Sequence, residues 1–221
     1  ATGHGIAPAL SVTQMQAMLR IAFRMGADLE TAFIQVNNRL AETLADDRFI
    51  TAFVGLLDPA THRLRFHSGG QGPIFRYVAA TGGWDRHKPT SFPLGAMPIA
   101  SLRPAIVIDM QPGDILVLLS DGFYEQSNPH GEMFGDDRVH DIVRTHHAGP
   151  MADMLAGLLR AVGDFAGDTP QQDDMTAVVV KRDSPVAKAS VARTFDSLPA
   201  LVAFTAEAVA RRLGIAEVVA G

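Results

Sequence analysis

Apolar residues first recur along the chain at steps of three and four. Met15, Met18, Leu19, Ala22 and Phe23 mark one face of a helix, with Pro8 acceptable only near its first turn and Gly26 placed to stop it. Asp28 then offers an N-cap for a second helix, whose stripe is Leu29, Phe33, Val36, Leu40 and Leu44. From residue 49 the period changes. Phe49 to Leu57 is rich in strand formers, Asp58-Pro59 signals a turn, and Leu64 to His67 returns as the second arm of a hairpin. The turn Gly69-Gly70-Gln71-Gly72-Pro73 leads to a short strand, Ile74 to Val78, and Gly82-Gly83 breaks the pattern again. Ala105 to Met110 and Ile115 to Ser120 read as two strands joined by Gln111-Pro112-Gly113-Asp114. Helical spacing resumes over Asp136 to His146 and Ala152 to Phe165, and Met175 to Lys181 reads as a closing strand. Strands in clusters, with helical pairs before and between them, predict an α+β fold rather than βαβ alternation.

Residues 183–188 read as a linker around Ser184-Pro185. Beyond it the pattern predicts a strand over Val191 to Phe195. A helix follows, capped by Ser197 and striped by Leu198, Leu201, Val202, Thr205, Ala208, Val209 and Leu213. One strand and one helix have no core of their own, so residues 189–221 read as the opening of a second domain, with 1–182 as the first.

Composition narrows the class. The chain has 221 residues, 47% of them hydrophobic and 19% charged, enough for a sizeable core. A net charge of −5 with no Lys/Arg block argues against nucleic acid as a partner. Cysteine is absent, which excludes disulfides and cysteine-based zinc sites and suits a reducing cytoplasm. No apolar run approaches the roughly 18–20 residues of a membrane span.

The candidate chemistry lies at strand ends. Asp121 follows the apolar run Ile115 to Ser120, and Asp173-Asp174 precede the run Met175 to Val180. Carboxylates leaving buried strands onto loops can converge on a hard cation such as Mg²⁺ or Mn²⁺. Singly, each motif has a plainer reading. Asp121-Gly122 is a common hairpin dipeptide, Asp173-Asp174 a solvated loop end, and Gly3-His4-Gly5 a free chain end. The other histidines, His146-His147 among them, show no ligand spacing and read as surface residues.

Together, and in order, the chain reads Gly3-His4-Gly5 before a helix, Phe49-Ile50-Thr51-Ala52, Gly69-Gly70-Gln71-Gly72-Pro73 and Pro93-Leu94-Gly95. It continues with Pro112-Gly113-Asp114-Ile115-Leu116, Ser120-Asp121-Gly122-Phe123-Tyr124-Glu125, Gly131-Glu132-Met133-Phe134-Gly135 and Asp173-Asp174-Met175-Thr176. Over residues 1 to about 182 this resembles the SpoIIE-type group of bacterial metal-dependent Ser/Thr protein phosphatases, the type 2C-like (PPM) family. The resemblance implies an antiparallel β-sandwich flanked by helices, in α-β-β-α layers, here without its N-terminal strands, so that a sheet edge would stand unpaired. It implies a pair of Mn²⁺ or Mg²⁺ ions, with Asp121 and Asp173 as catalytic carboxylate ligands and Asp174 as their neighbour. Gly122, Gly3, His4 and Gly5 would shape the surrounding loops. The backbone carbonyl of Ala1 would serve the second ion, and the Asp that bridges both ions would stand just before Ala1. Without that Asp, the 221 residues alone are expected to bind the pair poorly and to turn over little. Gln71 departs from the family, many of whose members carry His in that turn.

The resemblance further implies a cytoplasmic enzyme that dephosphorylates an anti-sigma-factor antagonist in partner-switching control of transcription, with a sensor domain upstream. Residues 189–221 resemble the start of an anti-sigma-factor Ser kinase of the histidine-kinase-like ATPase superfamily, which would be a downstream domain. Two other functions stay open: a pseudophosphatase that binds without hydrolysing, and a metal-dependent phosphoesterase of small molecules.

Overall fold

The computed structural model describes residues 6–45, 48–183, 200–204 and 219–220. The described chain is α+β, and its contacts divide it into two units. Of the described residues, the first combines 6–45, 48–71, 88–109 and 200–204, and the second 72–87, 110–183 and 219–220.

The first unit opens with α1 (Ile6–Arg24) and α2 (Leu29–Thr43). Gly26, at φ +85°, closes the end of α1 in a conformation that disfavours other residues. Asp28 caps α2, its carboxylate accepting the Thr31 N–H at 2.7 Å. The helices pack on β1 (Ala52–Asp58), which forms a hairpin with β2 (Arg63–Gly69). Met15, Leu19, Phe33, Leu40, Ala52 and Val54 are buried together in the core of this unit, each large apolar side chain contributing about 1.5–3 kcal/mol. Strand periodicity places Phe53 on the other face of β1, where its ring lies 4.8 Å from that of Phe66. The sheet is completed by β5 (Ile106–Asp109) on β2 and β8 (Ala200–Phe204) on β1.

The second unit is built on the sheet β4-β3-β6-β7-β9: β3 (Ile74–Val78), β4 (Gly83–His87), β6 (Ile115–Leu119), β7 (Thr176–Lys181) and β9 (Val219–Ala220), antiparallel throughout. The short α3 (Asp121–Tyr124) leaves the end of β6, and α4 (Gly135–His146) and α5 (Met151–Ala166) cover one face. Phe75, Val117, Phe123, Val139 and Leu158 belong to its core.

Several expectations change. The two strands expected on either side of Pro112-Gly113 are both present and lie in different sheets: β5 joins β2 in one and β6 joins β3 and β7 in the other. Asp114, fully buried, anchors that crossing by accepting Arg76 Nη2 at 2.6 Å and the N–H groups of Ala79 and Gln111. The helix expected across Leu198 to Leu213 is contradicted at residues 200–204, which form a strand on β1. The branched and aromatic residues of Ala200–Phe204 suit a ladder, and a partner strand overrides a helical spacing. In the described residues β1 carries β8 along one edge, and β7 carries β9. The expected strand over 191–195 and the linker beyond Asp183 lie outside the described residues. Among the described residues, no helix is long and apolar enough to cross a membrane.

The histidines are not surface residues throughout. His146 and His147 are half-buried, His147 against the Tyr77 ring, and His67 is fully buried on β2 between Thr90 and the Phe33 ring. Burial pushes the His67 imidazole below its ordinary value of 6.5, against the pull of the Glu30 carboxylate 3.7 Å away. The half-buried His87 is lowered for the same first reason. Both are therefore neutral in the folded protein where the unfolded chain already takes up protons. Stability is full above the unfolded value and falls as pH drops below it, by at most about 1.4 kcal/mol per pH unit for each group. Urea unfolding from about pH 7.5 down to about 5.5 is expected to show this loss, and His67→Gln to flatten it, leaving the share of His87. A pH-independent midpoint over that range would contradict the assignment.

Candidate functional site

The site grows from one feature of the second sheet. β6 and β7 run antiparallel in the register Leu119↔Ala177, so the end of β6 and the start of β7 meet at the same edge. The pairing continues beyond the strands, with the Ser120 N–H on the Thr176 carbonyl at 2.9 Å. Ser120 is buried, and its hydroxyl donates to the Asp174 carbonyl and accepts the Thr176 N–H, both at 2.8 Å. Ser120 precedes α3 as its N-cap residue, yet makes no side-chain cap bond, because the hydroxyl is engaged across the strands. Asp121 leaves one strand and Asp173-Asp174 enter the other at this junction.

The junction is tight. A Cβ built on Gly122 would stand 2.5 Å from the Asp174 carbonyl oxygen and 3.0 Å from that of Asp173. Only glycine lets the first turn of α3 lie this close to the opposing loop. The hairpin-turn reading of Asp121-Gly122 is thereby corrected: the pair opens a helix, and Gly122 serves close approach. The solvated-loop reading of Asp173-Asp174 holds for exposure, since Asp121, Asp173 and Asp174 are all exposed. One oxygen of each of the first two is oriented locally, Asp121 Oδ1 by the Gly122 N–H at 3.1 Å and Asp173 Oδ1 by the Asp174 N–H at 2.7 Å.

Residues to which the sequence assigned no role hold these loops. Tyr124 donates its hydroxyl to the Gly72 carbonyl at 2.8 Å. Burial raises its pKa, and the charges of Asp121, Glu125 and Asp136 push it further in the same direction. The phenol therefore stays protonated and serves as a fixed donor. Gln126, buried behind α3, bonds to the loop that carries Asp173. A single glutamine after Glu125 has no pattern that distinguishes it in sequence. Gln71, at the departure from the family turn, is buried, and its carbonyl accepts the Ser68 hydroxyl.

The donor set is two or three carboxylates, oxygen ligands of the kind that hard divalent cations take. In kind it fits such an ion; in number it is short. Among the described residues, no group of three or more His, Asp or Glu side chains stands together as a metal site. Ala1, Gly3, His4 and Gly5, expected to contribute there, lie outside the described residues.

The family model described as Stage II sporulation protein E (SpoIIE) matches residues 1–183. Protein IcfG of Synechocystis sp. is 26% identical over 136 residues, which cover 61% of this chain and 21% of that protein. The chain thus spans about a fifth of the length of this curated relative. Among solved structures it is similar to the SiaA-PP2C domain of Pseudomonas aeruginosa, with TM-score 0.69 and 21% identity over 82% of this chain and 73% of that one. It is also similar to the PP2C phosphatase domain, with a fragment of the regulatory domain, of the cell fate determinant SpoIIE from Bacillus subtilis. There the TM-score is 0.65 and the identity 20%, over 81% of this chain and 51% of that one. The RsbU and RsbW domains of Rv1364c from Mycobacterium tuberculosis give TM-score 0.65 and 22% identity over 83% and 51%. These likenesses show a PP2C phosphatase fold. The family match stops at residue 183, and the kinase-like reading of residues 189–221 finds no support in it.

Proposed function

The chain belongs to the SpoIIE family, and from that premise we propose that it is a divalent-metal-dependent protein phosphatase acting on phosphoserine or phosphothreonine. The observation that carries this reading is the junction of β6 and β7, where exposed carboxylates on adjoining loops are held by backbone contacts too close for any residue but glycine at position 122. Asp121 and Asp173 are the residues of this chain that would hold the metal, a pair of Mn²⁺ or Mg²⁺ ions.

Electrostatics favours a cation there. A phosphate monoester is dianionic near neutral pH, and a site lined by Asp121, Asp173 and Asp174 repels it unless positive charge intervenes. Bound divalent ions supply that charge and make water a nucleophile near neutral pH. The chain's own residues do the rest. Asp121 and Asp173 set the position of the charge, and Ser120 fixes both loops to the strand ladder. The Tyr124 hydroxyl, kept protonated, tethers α3 to Gly72 without taking part in proton transfer. Water adds across the P–O bond, inorganic phosphate departs, and the serine or threonine hydroxyl is restored. No protein nucleophile is required, in keeping with a sequence without cysteine.

The substrate proposed is a phosphorylated anti-sigma-factor antagonist, and the setting partner-switching control of transcription in the cytoplasm, with a sensor domain upstream in the full polypeptide. The test is hydrolysis of a phosphoserine protein by the polypeptide carrying its upstream residues, with Mn²⁺, with Mg²⁺ and with a chelator. Release of phosphate that needs the metal is the expected result. Binding of the phosphoprotein without release supports the pseudophosphatase, and preference for small phosphate esters supports the other phosphoesterase.

A further inference from the structure

We propose that Gln126 is a positioning residue that ties the loop carrying Asp173 to the segment carrying Asp121, so that the two carboxylates move as one body. The inference rests on the phosphatase reading of that site. Gln126 is 1% exposed, and a buried amide is costly unless its hydrogen bonds are made. Its Nε2 donates to the Ser127 and Pro170 carbonyls, both at 3.2 Å, and its Oε1 accepts the Gln172 N–H at 3.1 Å. Two of these three bonds reach a segment 44 to 46 residues further along the chain. The backbone of Gln126 is fixed as well, its carbonyl accepting the Phe134 N–H at 2.9 Å. The side chain therefore acts from a rigid support.

The segment it grips needs support. Residues 170–172 lie between the end of α5 and the start of β7, outside any helix or strand, and Gln171 and Gln172 are exposed. Thr169 is held by the Ala166 carbonyl, and Gln172 Oε1 accepts the Ser127 N–H at a longer 3.3 Å. Gln126 thus stands five residues after Asp121 and holds the amide immediately before Asp173. On the other side of Asp173, Ser120 holds the Asp174 carbonyl. Asp173 is bracketed by two buried side chains from one short segment, Ser120 before α3 and Gln126 after it.

Gln126→Met keeps the volume and removes all three side-chain bonds, while Gln126→Glu keeps the acceptor for the Gln172 N–H and loses the donors. Hydrogen exchange is measured on the full polypeptide without metal, and Mn²⁺ affinity by electron paramagnetic resonance. In Gln126→Met, amides of residues 171–174 are expected to exchange about tenfold faster or more, with the β1–β2 hairpin unchanged. Mn²⁺ affinity is expected to fall about tenfold or more while KM for the phosphoprotein holds, and Gln126→Glu to lie between. Unchanged loop exchange, or faster exchange spread evenly over β6 and β7, overturns the tie. Faster loop exchange with unaltered Mn²⁺ affinity overturns the positioning role. A parent protein that binds no Mn²⁺ refutes the phosphatase reading, and loop exchange then still decides whether the tie exists.

Discussion

Gly122→Ala is expected to lower both stability and phosphatase activity, against the ordinary preference of helices. Gly122 lies inside α3, and alanine favours a helix interior over glycine by about 1 kcal/mol. Propensity alone therefore predicts a gain. Packing predicts the reverse and is the larger effect. The new Cβ would meet the Asp174 carbonyl oxygen at 2.5 Å, the Asp174 carbonyl carbon at 3.0 Å and the Asp173 carbonyl oxygen at 3.0 Å. All three are backbone atoms, so no rotamer change relieves the clash. Either α3 or the 173–174 loop must shift, at a cost of about 1–3 kcal/mol. Ser120 resists that shift, since its hydroxyl ties the same two segments. Displacement of reacting groups by about 1 Å can cost on the order of a hundredfold in rate. A drop in kcat/KM of that order, with a lower urea midpoint, is expected for alanine, and a larger one for Gly122→Val. Alanine at wild-type stability and activity would mean that the two loops do not approach as described.

What the sequence made legible follows the strength of local signals. The helix α2 could be read because Asp28 supplies a cap and Phe33, Val36 and Leu40 a continuous stripe; all three are buried. The central strand β6 could be read because all five of its residues are apolar, and all five are buried. The strand β4 was not legible: it is polar, lies at a sheet edge and starts at a glycine that reads as a breaker. The tail misled for the opposite reason. Its apolar residues fit a helical spacing, whereas Ala200–Phe204 lies as a strand along β1, a partner more than 140 residues away. The site divides in the same way. Asp121 and Asp173 could be picked out because each adjoins a buried run, but the reason they meet is the antiparallel register of β6 and β7. Gly122 read as a turn because local chemistry favours that reading, and only the opposing carbonyls reveal its use. His67 and Gln126 had no local signal, since the contacts that define their roles are with partners distant in sequence, Thr90 for the one and Pro170 and Gln172 for the other.

The second large effect concerns the carboxylates themselves. Asp121→Asn and Asp173→Asn are each expected to lower Mn²⁺-dependent activity by more than the roughly 10–100-fold that loss of a group supporting a metal ligand costs. Asp174→Asn is expected to stay within that smaller range. Asparagine preserves shape and can still accept the local N–H that orients each side chain, from Gly122 for Asp121 and from Asp174 for Asp173. The fold therefore has no reason to fail. Without metal, the two activity-destroying substitutions should leave stability unchanged or raise it, because each removes one of three exposed negative charges gathered on adjoining loops. That opposition of signs separates a ligand from a structural residue, whose loss lowers stability and activity together. Thermal unfolding without metal, calorimetric titration with Mn²⁺ and phosphate release from a phosphoserine protein measure the three quantities. If Asp121→Asn or Asp173→Asn keeps wild-type Mn²⁺ affinity and turnover, that carboxylate is no ligand. If both do, the metal must be held elsewhere or the reaction must proceed without it.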